Sequence, residues 1–299
     1  MNITKEFDHQ SHLLSEKNLT IVFLLTVLFF FVEVIGSVLS NSLALFADSM
    51  HMLQDIIALG LSVFAVKLVK RPKDKVHTFG FKRAEVISAF LNGLGLFLIS
   101  LFILYESVIR FNTTQHIETG LMFVVSVTGL IVNIVGLFLL KEIQKENINS
   151  KGAFLHVLSD TLGSVGAIIA SVLIYFTNQP IFDIIVSLLI TVLILVSSFK
   201  ITGQALSILM ERTPNSIVIS DIEEKILQIK GIKSVHDIHS WSVSTDQLNF
   251  SCHVEITKES EPCNILNLVT ELLTTEFNID HTTIQVEHEN DVVIDCGSC

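Results

Sequence analysis

The sequence predicts a membrane α-helical bundle of six transmembrane helices followed by a small C-terminal cytoplasmic α+β domain. The 299 residues are 50% hydrophobic and 16% charged, with a mean hydropathy of +0.61, whereas soluble domains carry about 25% charged residues. Residues 1–210 hold 14 acidic and 14 basic side chains, while residues 211–299 hold 16 acidic and 5 basic ones. This composition excludes a wholly water-soluble protein, and the acidic end disfavours nucleic acid as a partner.

Six apolar stretches are each long enough to cross a bilayer, which takes roughly 20 residues of helix. They cover residues 19–40, 42–66, 86–109, 120–140, 153–176 and 181–199. The links after the second and fourth stretches are rich in lysine and arginine, whereas the opposite links offer only Arg110. Basic residues favour the cytoplasmic side, so we expect both termini in the cytoplasm and residues 1–18 to form a cytoplasmic tail.

The hydropathy falls after Pro214, and we place the end of the membrane domain at residue 210. Residues 220–230 have helical spacing, 233–244 and 247–257 alternate like strands, 262–277 are helical again and 281–288 alternate. The order α-β-β-α-β predicts a small α+β sandwich with its helices on one face of a sheet. Residues 211–299 should therefore form a separate domain, and its acidic composition favours metal cations as partners.

Ionisable side chains inside the second and fifth apolar stretches are the strongest functional signal. The stretches repeat one pattern, His51 with Asp55 and His156 with Asp160. A spacing of four residues puts each pair on one helical face. An aspartate at the bilayer centre costs about 2.5–3.5 kcal/mol on insertion scales, so the four groups need a compensating role. They could be hydrogen-bonding pairs that hold the bundle together, but their duplication favours a shared site.

Two imidazoles and two carboxylates can surround a divalent ion. Zn²⁺ accepts nitrogen and oxygen ligands at tetrahedral corners, whereas Ca²⁺ and Mg²⁺ prefer six or more oxygens. Two carboxylates neutralise the charge of the divalent ion. When the ion is absent, protons on the two histidines would balance the charge of the carboxylates. Metal and protons therefore compete for one site, as a proton/metal antiporter requires. Asp48, one turn before His51, is either an access or outer carboxylate of this site or a cap near the helix start.

Four segments resemble the cation diffusion facilitator family of zinc transporters. These are NSLALFADSMHMLQDIIAL, HTFGFKRAEVISAFLNG, KGAFLHVLSDTLGSVGAI and VHDIHSW, and the similarity extends over residues 19–290. The resemblance implies a homodimer that exports Zn²⁺ from the cytoplasm in exchange for protons, with Cd²⁺ or Co²⁺ as further candidates. It also implies that His51, Asp55, His156 and Asp160 bind the transported ion. We expect the protein in a bacterial cytoplasmic membrane.

The resemblance further implies that residues 211–299 form a cytoplasmic regulatory metal-binding domain of ferredoxin-like shape, which binds zinc. The matching residues are His236, His253 and His288, while Asn290 stands where the family has a carboxylate. Some members end in a Cys-x-x-Cys pair that joins such a site, and Cys296 with Cys299 fits that version. Thiolates with imidazole form a closed zinc site.

Two other classes of protein compete with a transporter. A membrane-anchored metal sensor needs an output element, and residues 211–299 contain no catalytic or DNA-reading motif. A metalloenzyme needs a general base, which His-x-x-x-Asp lacks in contrast to His-Glu-x-x-His. We therefore predict a transporter rather than an enzyme or a sensor.

Overall fold

The computed structural model describes the backbone of residues 3–113, 115–141, 148–244 and 247–288, and the side chains of residues 21–113, 115–139, 157–158, 160–244 and 247–288. The chain divides into two compact units. One comprises the chain up to Gly60 together with Asn92–Lys200, and the other comprises Leu61–Leu91 together with the chain from Ile201 onward.

Six long helices come first along the chain. They are α1 Ile3–Ser40, α2 Leu43–Val69, α3 Arg83–Phe111, α4 Thr119–Lys141, α5 Ile148–Thr177 and α6 Ile181–Leu209. Within the described residues, each contains a segment long and apolar enough to cross a membrane. None contains a proline, since the four prolines lie at positions 72, 180, 214 and 262. The prediction of six membrane helices is confirmed.

The first helix extends further than its apolar stretch. It begins at Ile3 rather than near residue 19, so the backbone of the polar segment is helical and continuous with the membrane-crossing part. Hydrophobicity locates only the portion of a helix that suits lipid, and a polar extension carries no such signal.

Within residues 211–244 and 247–288, the C-terminal domain contains two helices and a three-stranded sheet. Its elements are α7 Ile219–Leu227, β1 Ile232–Ser244, β2 Gln247–Ile256, α8 Pro262–Phe277 and β3 His281–His288. The strand order is β1-β2-β3, with β1 and β2 antiparallel and β2 and β3 parallel. The predicted order of elements is confirmed.

Alternation along β2 separates the two faces of this sheet. Phe250, Cys252 and Val254 are buried against α7 and α8, together with residues such as Ile222 and Val269. The intervening residues of β2 therefore project from the opposite face. A register irregularity interrupts β1 between His236 and His239, and Asp237 there has φ 51°. This bulge redirects the side chains on the face that carries the histidines.

Candidate metal centres

Helix α2 brings the first histidine–aspartate pair together. His51 Nε2 lies 3.7 Å from Asp55 Oδ2, and the two side chains are 22% and 26% exposed. The distance follows from their spacing, because residues four apart are neighbours on a helical surface. This pair supplies one nitrogen and one carboxylate oxygen.

Helix α5 supplies a second carboxylate. Asp160 is buried, and its Oδ1 lies 4.0 Å from His51 Nε2. His156 belongs to α5 one turn before Asp160, but its side chain lies outside the described residues. The structure thus brings together His51, Asp55 and Asp160 from two helices that are far apart in sequence.

The spacing of these atoms suits a small tetrahedral ion. With metal–ligand bonds of about 2.0–2.2 Å, neighbouring donor atoms in a tetrahedron lie about 3.3–3.6 Å apart. The measured separations of 3.7 and 4.0 Å are only slightly longer. The three described donors can therefore form part of such a site, which one further ligand would complete.

Two more carboxyl groups are buried close to this cluster. Asp48 is 5% exposed and Glu33 of α1 is 1% exposed, and the two are adjacent. A Cβ atom added to Gly163 of α5 would lie 3.1 Å from Asp48 Oδ1. The glycine thus lets α5 approach Asp48 closely. Since α2 begins at Leu43, Asp48 lies beyond the first turn and is not the cap of this helix, which removes one of its two interpretations.

The start of α2 is held by Asp183 of α6 instead. Its carboxylate accepts hydrogen bonds from the Ser42 hydroxyl at 2.6 Å, the Leu43 amide at 2.6 Å and the Ala44 amide at 3.1 Å. The first amides of a helix have no partner within it and attract negative charge. Asp183 therefore fixes the beginning of the helix that carries His51 and Asp55.

A buried amide pair joins α2 to α3 next to Asp55. Gln54 Nε2 donates to the Asn92 side-chain oxygen at 2.8 Å and to its backbone carbonyl at 3.1 Å. A Cβ atom on Gly95 would lie 2.7 Å from Gln54 Nε2, so this position of α3 must remain a glycine for the amide to fit. The contact restrains rotation of α2 at the level of Asp55.

A second cluster of side chains that could hold a metal ion lies on the face of the C-terminal sheet opposite α7 and α8. His253 Nδ1 lies 2.8 Å from Glu287 Oε1, and His236 Nε2 lies 3.5 Å from Glu287 Oε2. One ligand atom from each of these residues lies within 4.8 Å of the others. Asp237 approaches the same cluster, with its Oδ2 3.5 Å from His253 Nε2.

The register of the strands explains this cluster. His236 of β1 is paired directly with His253 of β2, and directly paired residues share a face. On β3 the face that carries these histidines is occupied by Glu287, and His288 alternates to the other side. The structure thus puts Glu287 where the sequence suggested His288.

Hydrogen bonding prepares Asp237 to act as an anion. The His239 side chain, 2.8 Å away, lowers the pKa of Asp237, and the positive charges that His239, His253 and His236 can carry act in the same direction. A carboxylate with a lowered pKa stays ionised in mildly acidic solution. Asp237 therefore adds negative charge to a cluster that already contains Glu287.

The cysteines differ in their surroundings. Cys252 is buried in the domain core, which raises the pKa of its thiol to about 12. A thiol of this kind is a poor metal ligand, since metals bind the thiolate. Cys263 is exposed, and the predicted ligands Cys296 and Cys299 lie outside the described residues.

The link between α2 and α3 contains a compact turn. Asp74 Oδ1 accepts hydrogen bonds from the backbone amides of Val76 and His77, and the His77 ring lies 3.1 Å from the carboxylate. The backbone and side-chain hydrogen bonds from His77 lower the pKa of Asp74. The side chains of Asp74 and His77 therefore bind each other within the turn.

Reasoning from the sequence missed Glu287 and Asp237. The alternation of β3 could have revealed Glu287, because positions 285 and 287 share a face opposite to 284, 286 and 288. The sequence suggests that Asp183 is a packing or helix-end group, but it contains no local signal for the partner of Asp183, which lies 140 residues away in the chain.

Family models match both parts of the chain. The cation efflux transmembrane domain matches residues 19–210, and the cytoplasmic domain of cation efflux proteins, a dimerisation domain, matches residues 214–289.

Curated relatives match almost the whole chain. The metal cation efflux system protein CzcD of Cupriavidus metallidurans is 37% identical over 91% of this chain and 87% of its own. A cadmium, cobalt and zinc/H(+)-K(+) antiporter of Bacillus subtilis is 39% identical over 94% of this chain and 93% of its own. The zinc transporter ZitB of Escherichia coli is 36% identical over 93% and 90%. A solved metal-bound C-terminal domain of CzcD is 30% identical and covers 24% of this chain and 99% of its own, with a TM-score of 0.23.

Proposed function

Because this chain belongs to the cation efflux family, a family of membrane transporters and not of enzymes, we propose that it exports Zn²⁺ from the cytoplasm in exchange for protons. The observation that carries the proposal is the meeting of His51 Nε2 with Asp55 Oδ2 and Asp160 Oδ1, at 3.7 and 4.0 Å, between two membrane helices. The names of the relatives, which include zinc, cadmium and cobalt transporters, support divalent metal as the substrate.

In the proposed transport cycle, His51, Asp55, His156 and Asp160 bind the metal ion. Two imidazole nitrogens and two carboxylate oxygens neutralise Zn²⁺ and satisfy its tetrahedral preference. Both histidines must lose their protons before they can bind metal. A site that releases protons when zinc enters, and takes them up when zinc leaves, couples opposite fluxes if it opens to one side of the membrane at a time.

Asp48 and Glu33 have a separate place in this proposal. Both are buried, and Asp48 lies one turn from His51 towards the start of α2. A metal ion moving along α2 beyond the ligands therefore meets these carboxyl groups next. We assign Asp48 to the access path or to the outer surroundings of the site, not to the ligand set.

The orientation of the protein determines the direction of transport. We infer that both termini are cytoplasmic, because lysine and arginine are concentrated in the links after α2 and α4. The number of membrane helices found among the described residues is even, which would keep the two termini on one side. A bacterial cytoplasmic membrane agrees with the source organisms of the relatives, and export would then lower cytoplasmic zinc.

The cytoplasmic domain is proposed to form a homodimer and to bind regulatory zinc. His236, His253 and Glu287 supply the described ligands, with Asp237 alongside. In the full chain Cys296 and Cys299 can add thiolates. His288 projects from the other face of the sheet and has no place in this ligand set.

Transport measurements on liposomes containing the purified protein test the proposed function. With an imposed pH gradient, external zinc should drive proton movement reported by a pH dye inside the vesicles. His51→Ala and Asp160→Asn should abolish this signal while the proteins still insert and fold. His116→Ala is a matched control, because this side chain is 86% exposed in the link between α3 and α4, and should leave transport unchanged. Normal transport by either site variant would refute the proposed site.

A further inference from the structure

A large cavity lies within the unit formed by Leu61–Leu91 and the chain from Ile201 onward. Its volume is about 1060 Å³. The end of α2, the start of α3 and the link between them form one side, and strands β1 and β2 form another. No part of the proposed transport site lines it.

One side of the cavity is strongly apolar. The residues that form it on α2, α3 and their link are Leu61, Phe64, Leu68, Phe79, Ile87 and Leu91. Phe64, Ile87 and Leu91 are 59%, 46% and 48% exposed, so the fold leaves substantial apolar area uncovered. Because α2 and α3 are membrane-spanning segments, this apolar surface continues the surface that the same helices present to lipid.

Polar side chains also line the cavity. Arg83 and His77 belong to the start of α3 and the α2–α3 link, and His239 and Trp241 belong to β1. Arg83 Nη2 donates to Glu211 Oε1 at 2.7 Å, and the Phe79 ring packs edge-on against His281. These contacts join the α2–α3 link and the start of α3 to the C-terminal domain around one cavity.

The segment bordering the cavity carries a strong positive charge. Residues 67–83 contain seven lysines and arginines and a single acid, Asp74. Lys73 is close to Gly80, which lines the cavity, since its Cγ lies 3.5 Å from where a Cβ on Gly80 would be. Clusters of basic residues next to a membrane helix attract anionic lipid headgroups.

We propose that this cavity binds an anionic phospholipid. An acyl chain lies along the apolar surface of α2 and α3, and basic residues of the α2–α3 link, Lys73 among them, bind the phosphate. A soluble metabolite would leave the apolar side in contact with water, whereas a lipid can enter from the bilayer along the same two helices. The positive charge selects an anionic headgroup over a zwitterionic one.

The chain contains one tryptophan, Trp241, and it lines the cavity. Bromine atoms on an acyl chain quench tryptophan fluorescence at short range, so Trp241 reports whether a chain is present. The full-length protein is placed in two series of nanodiscs. In the first, increasing fractions of brominated phosphatidylglycerol are mixed into phosphatidylcholine. In the second, increasing fractions of brominated phosphatidylcholine are mixed into unbrominated phosphatidylglycerol. We expect half-maximal quenching at a lower fraction of brominated phosphatidylglycerol than of brominated phosphatidylcholine. The two fractions should differ by about fivefold for each basic residue that contacts the headgroup.

Two pairs of variants separate the cavity from the general membrane surface. Ala84→Leu narrows the cavity from α3 and should remove the quenching, whereas Ala89→Leu, on an exposed part of α3 away from it, should not. Lys73→Gln should raise the fraction of anionic lipid needed, whereas Lys258→Gln in the cytoplasmic domain should not. Absence of quenching in the unmodified chain, or equal quenching by both brominated lipids, would overturn the proposal. Zinc transport tests the proposed function separately.

Discussion

Individual side chains fix the position of the helix that carries the proposed ligands. Asp183 holds the first amides of α2 with three hydrogen bonds and is 1% exposed. Bonds to a charged acceptor are about twice as strong as neutral ones, and an unsatisfied buried donor costs about 1–3 kcal/mol. The geometry at His51 and Asp55 therefore depends on a residue of α6 that does not touch them.

Replacing this carboxylate should loosen α2 without altering the ligands. Asp183→Asn keeps the shape of the side chain but puts an amide group opposite the helix amides. We expect a loss of about 1–3 kcal/mol of stability, measured as a lower midpoint of thermal unfolding in detergent. Asp221→Asn, at an exposed position in the first turn of α7, is the matched control. Equal stability of the Asp183 variant and the unmodified protein would contradict the proposed role.

The cytoplasmic cluster makes a second prediction for single residues. Glu287 lies between His236 and His253, whereas His288 points to the side of the sheet covered by helices. Glu287→Gln should weaken zinc binding by at least about tenfold, since even outer partners of metal ligands contribute 10–100-fold. His288→Gln should leave the affinity unchanged.

Zinc titration followed by calorimetry can measure both variants. Each is made in an Asp160→Asn background, so that binding at the membrane site does not obscure the cytoplasmic one. Circular dichroism checks that the sheet is intact. Weaker binding in the His288 variant together with unchanged binding in the Glu287 variant would restore the ligand set suggested by the sequence.

At the level of whole elements, glycines determine how closely the membrane helices pack. On α4, a Cβ atom at Gly129 would lie 2.6 Å from Cζ of Phe29 on α1, and Phe29 is 4% exposed. On the same helix, a Cβ at Gly120 would meet no atom within 4 Å. The two glycines therefore differ in packing while sharing a helix.

This difference predicts opposite effects of the same substitution. Gly129→Ala should destabilise the protein by about 1–3 kcal/mol, because overpacking displaces a buried ring. Gly120→Ala should be neutral or slightly stabilising, since alanine is favoured over glycine in a helix by about 0.5–1 kcal/mol. Thermal unfolding of both variants measures the effect, and equal midpoints would show that α1 and α4 tolerate a wider separation.

The elements themselves were largely predictable from the sequence, because each depends on a local pattern. Apolar length identified the six membrane helices, and alternation identified the three strands within one or two residues of their ends. The polar start of α1 at Ile3 was missed since lipid does not determine it. The pairing of Gln54 with Asn92 could not be predicted, because it depends on how α2 and α3 rotate against one another.

The candidate sites show the same division between local and tertiary information. The repeated spacing of His51 with Asp55 and of His156 with Asp160 was enough to suggest a shared site, and the structure brings three of these four residues together. The choice between Glu287 and His288 depends on strand register, where a shift of one residue reverses the face. Resemblance in sequence aligns positions but does not report which way a side chain points.

For the whole molecule, the negative charge of the C-terminal domain connects zinc binding with the approach of two such domains in the proposed homodimer. The membrane domain is electrically balanced, while residues 211–299 carry 5 basic and 16 acidic side chains, a net charge of −11. In the proposed homodimer two such domains repel each other. Zinc bound at the cluster of His236, His253 and Glu287 would reduce that repulsion, and added salt would screen it.

Separation of the two domains should therefore depend on zinc at low salt and much less at high salt. Dyes attached to Cys263, which is exposed, report the distance by energy transfer in a Cys296→Ser, Cys299→Ser background, while burial protects Cys252. At about 0.01 M salt, where the screening length is about 30 Å, a chelator should lower energy transfer and zinc should restore it. At 1 M salt, with a screening length of about 3 Å, transfer should be high without zinc. If the response to zinc were instead equal at both salt concentrations, specific bridging by the metal rather than charge neutralisation would drive the approach, and Glu287→Gln would abolish the response at both.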